Sequence, residues 1–209
     1  MSLTSLLRAI YILGLAASVT ACTNDVLIPI PPHTPSSAPS ALSRVAARTV
    51  EVRVEETKLA HNPVGLIFLP RGSALFFSEP GPDEVVANAL RSELRAAGHT
   101  VVFGPRFGIE VDVAPIKLKG RLNAFDMNFE GSKLFGSVDV WIDVFRRGRE
   151  ARVYYAVYEA ECEVALPQDT KIVEAHQLDS EIGRLFSACV GDIARRFRDD
   201  TAMAQALGG

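Results

Sequence analysis

Hydrophobic and polar residues alternate along much of this chain, which is typical of strands with one buried face. The alternation is clearest at Val50, Val52 and Val54, which are separated by charged residues. The segments that predict strands are 49–59, 63–70, 99–104, 113–129, 136–145 and 151–166. Residues 73–79 fit either a short strand or a loop.

Two other segments have apolar residues at helical spacing. Residues 81–99 begin with Pro82 and two acidic residues and reach Gly98, which suits the left-handed cap of a helix. Residues 170–200 carry one apolar stripe. Its members are Leu178, Ile182, Leu185, Phe186, Cys189, Val190, Ile193 and Phe197.

The order of these elements predicts the fold class. Strands precede the first helix, one strand follows it, and three long strands lead to the last helix. We therefore expect a single α+β domain with a mixed or antiparallel sheet, a three-strand C-terminal meander, and two helices packed on the sheet. A helix must cover one sheet face, because the apolar stripe of the last helix needs a partner.

The amino terminus has the three parts of a secretory signal peptide. One basic residue, Arg8, precedes an apolar core at 9–17, and small or modest residues follow at 18–21. The core is about half of the roughly 20 residues that span a bilayer as a helix. Residues 1–21 are therefore predicted to be an exported and removed segment.

The residues around Cys22 resemble a bacterial lipobox. Val19, Thr20 and Ala21 precede the cysteine. The resemblance implies a thioether-linked diacylglycerol on Cys22, palmitate-type acylation, and cleavage before it. Thr23 follows, where an aspartate would favour the inner membrane, so we expect the inner leaflet of the outer membrane with the domain facing the periplasm. The alternative is a plain secreted protein with a cysteine near its start.

Residues 22–45 are predicted to join this anchor to the folded body. The stretch 29–45 is rich in Pro, Ser and Ala, a composition that favours extended, solvated chain. The predicted organisation is a signal peptide at 1–21, a lipidated cysteine with a tether at 22–45, and one α+β domain at 46–209.

Composition excludes some classes of function. The chain has 209 residues and a net charge of −3, so a basic surface for nucleic acid is not expected. The four histidines, His33, His61, His99 and His176, have no metal-ligand spacing and are interpreted as scattered surface residues. We predict no metal, no cofactor and no catalytic constellation, and hence not an enzyme.

The span from Asp83 to Leu207 resembles the YajG-like bacterial lipoproteins. The matching stretches are ANALRSELRAAGH, IKLKGRLNAFD, GSVDVWIDV, YYAVYEAE and ACVGDIARRFRDDTAMAQAL. Envelope lipoproteins of the PelC, LpoB and CsgG kinds have a similar helix-on-sheet plan. By analogy, the resemblance implies a periplasm-facing protein that works by binding another envelope component.

One strand face and the turn after it are the candidate docking surface. Aromatic and basic side chains are the usual anchors of protein interfaces. The candidates are Trp141, Phe145, Arg146, Arg147, Arg149 and Tyr155. Carboxylates at Asp126, Asp139 and Glu159 leave open a hydrolase acting on cell-wall sugar, although Asp139 and Asp143 are about 13 Å apart along the strand.

Cys162 and Cys189 are a candidate disulfide. Export permits disulfides, and Cys162 shares its strand phase with Tyr158 and Ala160 while Cys189 lies on the apolar helix stripe. If the helix covers that face, the sulfurs meet. The alternative is two separate buried cysteines that act as small apolar groups.

Besides the hydrolase, two functions follow from these observations. The first is a lipid-anchored, non-enzymatic docking module that binds an envelope protein. The second is an auxiliary lipoprotein of a lipid or solute transport system, which requires an apolar cavity between sheet and helix. The stretches WIDVF and VYYAVY could line such a cavity.

Overall fold

The computed structural model describes residues 23–56, 63–69, 72–103, 114–149, 151–166 and 175–208. The strands are β1 (Thr23–Pro29), β2 (Thr49–Glu56), β3 (Gly65–Leu69), β4 (Gly72–Glu79), β5 (Thr100–Val102), β6 (Ile116–Glu130), β7 (Lys133–Arg146) and β8 (Tyr154–Ala165). The α-helices are α1 (Pro82–Ala96), α2 (Asp179–Asp199) and α3 (Thr201–Gly208). The chain is a single α+β domain, as the pattern predicted.

The larger sheet has five strands in the order β5-β2-β6-β7-β8. Strands β5 and β6 run parallel to β2, and β6, β7 and β8 form the antiparallel meander that the sequence predicted. A register shift between Leu122 and Ala124 marks a bulge in β6. The sheet is therefore mixed, and its meander carries the longest strands.

A second sheet of three strands has the order β1-β4-β3. Strand β4 pairs antiparallel with β3 and parallel with β1. The backbone N–H of Met127 donates to the carbonyl of Val64 at 2.6 Å, which ties the start of β3 to β6. Residues 73–79, which fitted a strand or a loop, lie in β4.

The prediction that residues 22–45 form a solvated tether is wrong for the described part, 23–45. Ile28, Ile30 and Leu42 are buried in the core. Pro29 suggested a tether, yet β1 is an edge strand, where a residue without an N–H is tolerated. Further along, His33 Nε2 lies 2.7 Å from Glu93 Oε1 on α1. Residues 23–45 are therefore part of the folded body.

Both longer helices pack on the inner face of the larger sheet. Phe125 of β6 stacks on Phe186 of α2 with ring centroids 4.3 Å apart, and Tyr158 of β8 meets Phe197 edge-on at 6.1 Å. Gly136 permits this close approach, because a Cβ there would lie 2.9 Å from Leu185 Cγ. None of the helices in the described ranges is long and apolar enough to cross a bilayer.

The last predicted helix, 170–200, begins later in the structure, and a second short helix follows it. Helix α2 begins at Asp179 and ends at Asp199, and α3 follows Asp200. Asp200 Oδ1 accepts a hydrogen bond from the N–H of Met203 at 2.9 Å, which is the N-cap contact of a new helix. The carboxyl-terminal residues fold back as a separate short helix.

Candidate functional site

The outer face of β6, β7 and β8 is the candidate functional surface. Val140, Ile142 and Val144 of β7 point toward the helices and are buried, whereas Trp141 and Asp143 point the other way and are partly exposed. Within the described ranges, no helix packs over this outer face. Alternation along three long strands therefore leaves one face of the sheet accessible.

At one end of this face, cations stack on aromatic rings. Arg121 of β6 is directly opposite Trp141 of β7, and its guanidinium carbon lies 5.2 Å from the indole centroid. Arg152 lies 4.7 Å from the ring of Tyr155 in the same way. The Trp141 and Tyr155 rings meet edge-on at 6.2 Å. The attraction between each guanidinium and the face of its ring stabilises this stacked arrangement.

Asp143 holds the two arginines in place. Arg152 Nη1 lies 3.0 Å from Asp143 Oδ1, and Arg121 Nη2 lies 3.6 Å from its Oδ2. The carboxylate is 14% exposed, whereas the two arginine side chains are about half exposed. A sheltered anion therefore orients two accessible cations. Lys119, with its ammonium 5.4 Å from the ring of Phe145, extends the row.

We call this set of residues the aromatic–basic zone. Its members are Lys119, Arg121, Trp141, Asp143, Phe145, Arg152 and Tyr155.

The structure brings only part of the predicted docking surface together. Trp141, Phe145 and Tyr155 share the outer face of the sheet. Arg146 does not, because its guanidinium donates to the carbonyl of Ala206 in α3 at 2.7 Å. Arg147 and Arg149 lie exposed in the turn after β7.

Sequence reasoning missed the zone's cations on β6. Lys119 and Arg121 alternate with buried residues of that strand, so their outward direction is a local signal. Their position beside Phe145 and Trp141 depends on the pairing register of β6 and β7, which no local pattern encodes.

The other end of the outer face is acidic. A shallow depression of about 310 Å³ is lined by Asp126, Met127, Asn128, Phe135, Gly136, Ser137, Glu161 and Cys162. Nearby, Asp139 of β7 is directly opposite Glu159 of β8. Asp139 Oδ2 accepts from the amide of Asn123 at 3.4 Å, and its Oδ1 is buried without a hydrogen-bond partner. The face is therefore polarised, basic at one end and acidic at the other.

Metal-ligating residues do not gather in the part of the chain that the structure describes, where no three His, Cys, Asp or Glu side chains are placed to hold an ion. Two histidines differ from their interpretation as surface residues. His99 is only 4% exposed, and the side chain of His33 is 14% exposed and lies against Glu93. Both rings lie within hydrogen-bond distance of polar groups far away in the sequence. An isolated histidine in the sequence gives no signal of such burial.

The aromatic residues proposed to line a ligand cavity are used otherwise. Tyr158 packs against Phe197, and its hydroxyl donates to Asp200 Oδ2 at 2.7 Å. Trp141 and Tyr155 point away from the helices. The stretches WIDVF and VYYAVY therefore contribute partly to the core and partly to the outer face.

Cys162 and Cys189 form a disulfide in the structure. Their Cα atoms are 5.6 Å apart, within the range that a bridge requires. The bond joins β8 to α2 on the inner side of the larger sheet. Cys22, the predicted lipidation site, lies outside the described residues.

Comparisons with known proteins show a similar fold but do not show a family. No family model and no curated protein matches the chain. Among solved structures, protein XCC0632 from Xanthomonas campestris, described as DUF330, is 10% identical, with a TM-score of 0.52 over 83% of this chain and 94% of that one. That likeness places both proteins in one α+β fold class.

Weaker similarities involve named lipoproteins. A minor lipoprotein from Acinetobacter baumannii is 8% identical, with a TM-score of 0.43 over 78% of this chain and 92% of that one. Rare lipoprotein B from Shewanella oneidensis is 11% identical, with a TM-score of 0.36 over 68% and 89%. The YajG-like resemblance stays a prediction from the sequence.

Proposed function

We propose that this protein is a lipid-anchored envelope lipoprotein that binds an acidic segment of another envelope protein through the aromatic–basic zone. The lipobox-like residues before Cys22 support the anchor. The observation that carries the docking role is the stacking of Arg121 and Arg152 on Trp141 and Tyr155 on an uncovered sheet face.

The chemistry of the zone suits protein recognition. Trp, Tyr and Arg are the residues that most often dominate binding energy, because they combine a large apolar surface with a polar or charged group. Arg121 and Arg152 are pre-oriented by Asp143, so less side-chain freedom is lost on binding. Their accessible guanidinium groups favour a carboxylate-bearing partner.

Binding accounts for this zone better than catalysis does. Its sheltered carboxylate, Asp143, is already held in ion pairs with Arg121 and Arg152. The guanidinium groups are poor proton donors and acceptors at neutral pH. A docking surface needs only these fixed charges and rings.

The experiment places a photo-reactive amino acid at Val157, which is exposed and directly opposite Trp141. We expect it to crosslink to an envelope protein in living cells. Trp141→Ala should reduce that crosslinking at least about tenfold, because loss of an interface tryptophan costs about 2 kcal/mol or more. Circular dichroism and the yield of folded protein serve as controls.

A matched control places the same photo-reactive group at Asn128, an exposed residue at the acidic end of the face. Crosslinking there should be weaker and insensitive to Trp141→Ala. Equal capture at both positions, or capture at Val157 that Trp141→Ala leaves unchanged, contradicts docking through the zone. Measurable turnover of an envelope polymer by the purified protein contradicts the non-enzymatic role.

A further inference from the structure

The outer face of the three-stranded sheet exposes large apolar side chains. Phe68 is 82% exposed, Leu27 61% and Leu66 47%. These are three of the five strongly exposed large apolar residues in the described part of the chain. Their concentration on one small sheet distinguishes them from scattered surface residues.

Strand register shows that these side chains form one surface. Leu27 of β1 is opposite Phe77 of β4, and Leu66 of β3 is opposite Leu75 of β4. Phe68 lies two residues beyond Leu66, on the same side of β3. The alternate residues Ile28, Ile67 and Phe76 point inward and are buried. We call the outward set, Leu27, Leu66, Phe68, Leu75 and Phe77, the apolar face.

The position of this face relative to Thr23, the residue after Cys22 in the sequence, is the decisive observation. Thr23, which follows Cys22, is paired with Ser73, and Ser73 is paired with Phe68. The three residues form one row across the sheet, so Thr23 and Phe68 are separated by two strand spacings, about 10 Å. No flexible spacer intervenes, because β1 begins at Thr23.

We infer that the apolar face rests on the leaflet into which Cys22 is acylated, with Phe68 inserted among the lipids; this inference relies on the proposed lipid anchor. An acyl chain at Cys22 holds the face within about 10–15 Å of the bilayer surface. This tethering gives the face a high effective concentration at the bilayer surface, so that even weak apolar contacts with lipid form.

The polar residues of the same face set its depth. Asp25 of β1 is exposed and opposite Leu75. A carboxylate is costly in hydrocarbon but is tolerated among headgroups. The face therefore lies at the boundary between headgroups and acyl chains, as apolar surfaces of peripheral proteins do. A protein partner at this face would have to compete with the leaflet that the anchor supplies.

The test uses the mature, lipidated protein in vesicles of phosphatidylethanolamine and phosphatidylglycerol. Phe68→Cys is labelled with a polarity-sensitive fluorophore, and the matched control is Asn128→Cys on the other sheet. Both positions are exposed, so neither substitution should disturb folding. Cys162 and Cys189 are bonded to each other, so the new thiol is the one that reacts.

We expect lipids carrying a nitroxide on the acyl chain to quench the label at position 68 at least about twofold more than the label at position 128. The label at 68 should also emit at shorter wavelength. A third variant, Leu27→Cys, should be quenched more than the control, since it shares the face.

Equal quenching at 68 and 128 overturns the inference. Protection of position 68 from aqueous iodide without quenching by lipid shows a protein occupant, and also overturns it. If wild-type protein lacks acyl mass and does not float with vesicles, both the anchor and the membrane contact fail. If the protein floats but position 68 stays unquenched, the contact alone fails.

Discussion

His99 illustrates how one buried side chain ties distant segments together. Its Nε2 lies 3.2 Å from the carbonyl of Leu42, and its Nδ1 accepts from the N–H of Arg48 at 3.1 Å. Because one ring nitrogen accepts and the other donates, the geometry requires a neutral imidazole. Burial lowers the pKa of His99 below its usual 6.5, and this effect exceeds the opposing one of the Leu42 carbonyl.

This geometry predicts a pH dependence of stability. Between the lowered pKa of His99 in the folded chain and about pH 6.5, the unfolded chain binds a proton at His99 while the folded chain does not. The free energy of unfolding should therefore be highest above about 6.5 and should fall as the pH falls toward the lowered pKa. Urea unfolding across this range measures it, and His99→Gln should flatten the dependence. Identical slopes for wild type and variant contradict this role.

Asp200 is the second residue with several partners. Its carboxylate accepts from the hydroxyl groups of Tyr154 and Tyr158 at 3.0 and 2.7 Å, and caps α3 through Met203. Burial, with the hydrogen bond to Asp200, raises the pKa of Tyr154 to about 12. Burial raises the pKa of Tyr158 further. Both tyrosines are therefore neutral donors at physiological pH.

Asp200→Ala should lower the free energy of unfolding by about 2–4 kcal/mol. The loss combines about 1 kcal/mol for the helix cap with about 1–3 kcal/mol for the unpaired Tyr158 hydroxyl. Urea denaturation measures the change. The control is Asp199→Ala, since that neighbour is about half exposed and forms its ion pair with the adjacent Arg198; its effect should stay within about 0.5 kcal/mol. Equal losses for the two variants are incompatible with the proposed role of Asp200.

Among the elements, α2 and β8 are joined by packing and by a covalent bond. Tyr158 contacts Phe197, and Cys162 is bonded to Cys189 across a separation of 27 residues. Closing a loop of this length restricts the unfolded chain, which stabilises the folded state by about 3–4 kcal/mol in the chain-entropy model. The bond adds to contacts that α2 already makes.

Reduction of the Cys162–Cys189 bond should therefore destabilise the protein without unfolding α2. We expect the double variant Cys162→Ala, Cys189→Ala to lower the free energy of unfolding by about 3–4 kcal/mol, with an unchanged circular dichroism spectrum at low temperature. Thermal unfolding with and without reductant gives the same comparison for the wild type. Two freely alkylated thiols in unreduced, denatured wild-type protein speak against the bond.

Local periodicity correctly predicts several of the strands and helices. The strands of the meander and the helix predicted at 81–99 appear close to their expected positions, because their periodicity lies within single segments. Strand β1 was missed because Pro29 and its neighbours give a loop-like composition. Val26, Ile28 and Ile30 alternate inward nonetheless, and that pattern was the signal available.

At the scale of the whole molecule, two sheets turn their inner faces toward one core. The apolar face adjoins the amino terminus, whereas the aromatic–basic zone lies on the larger sheet. The membrane contact and the docking role would therefore use separate surfaces of the molecule.

Cys22→Ser tests the anchor for the molecule as a whole. We expect the variant to lose its acyl mass, to keep its signal peptide or be processed by another route, and to leave the detergent phase on partitioning. The physical reason is that two or more acyl chains hold a protein firmly, whereas none does. Thr23→Ser is the matched control and should remain lipidated. Wild-type protein that is free in solution and lacks acyl mass refutes the anchor.

The sequence by itself determined the α+β class, the meander, the two main helices and the outward direction of Trp141. Each of these depends on spacing within one segment. Only the tertiary structure decided that β1 joins β4, that His99 is buried, and that Arg121 lies opposite Trp141. These features depend on register and on contacts between residues far apart in the chain. They arise when whole faces are buried together, and no local pattern records that choice.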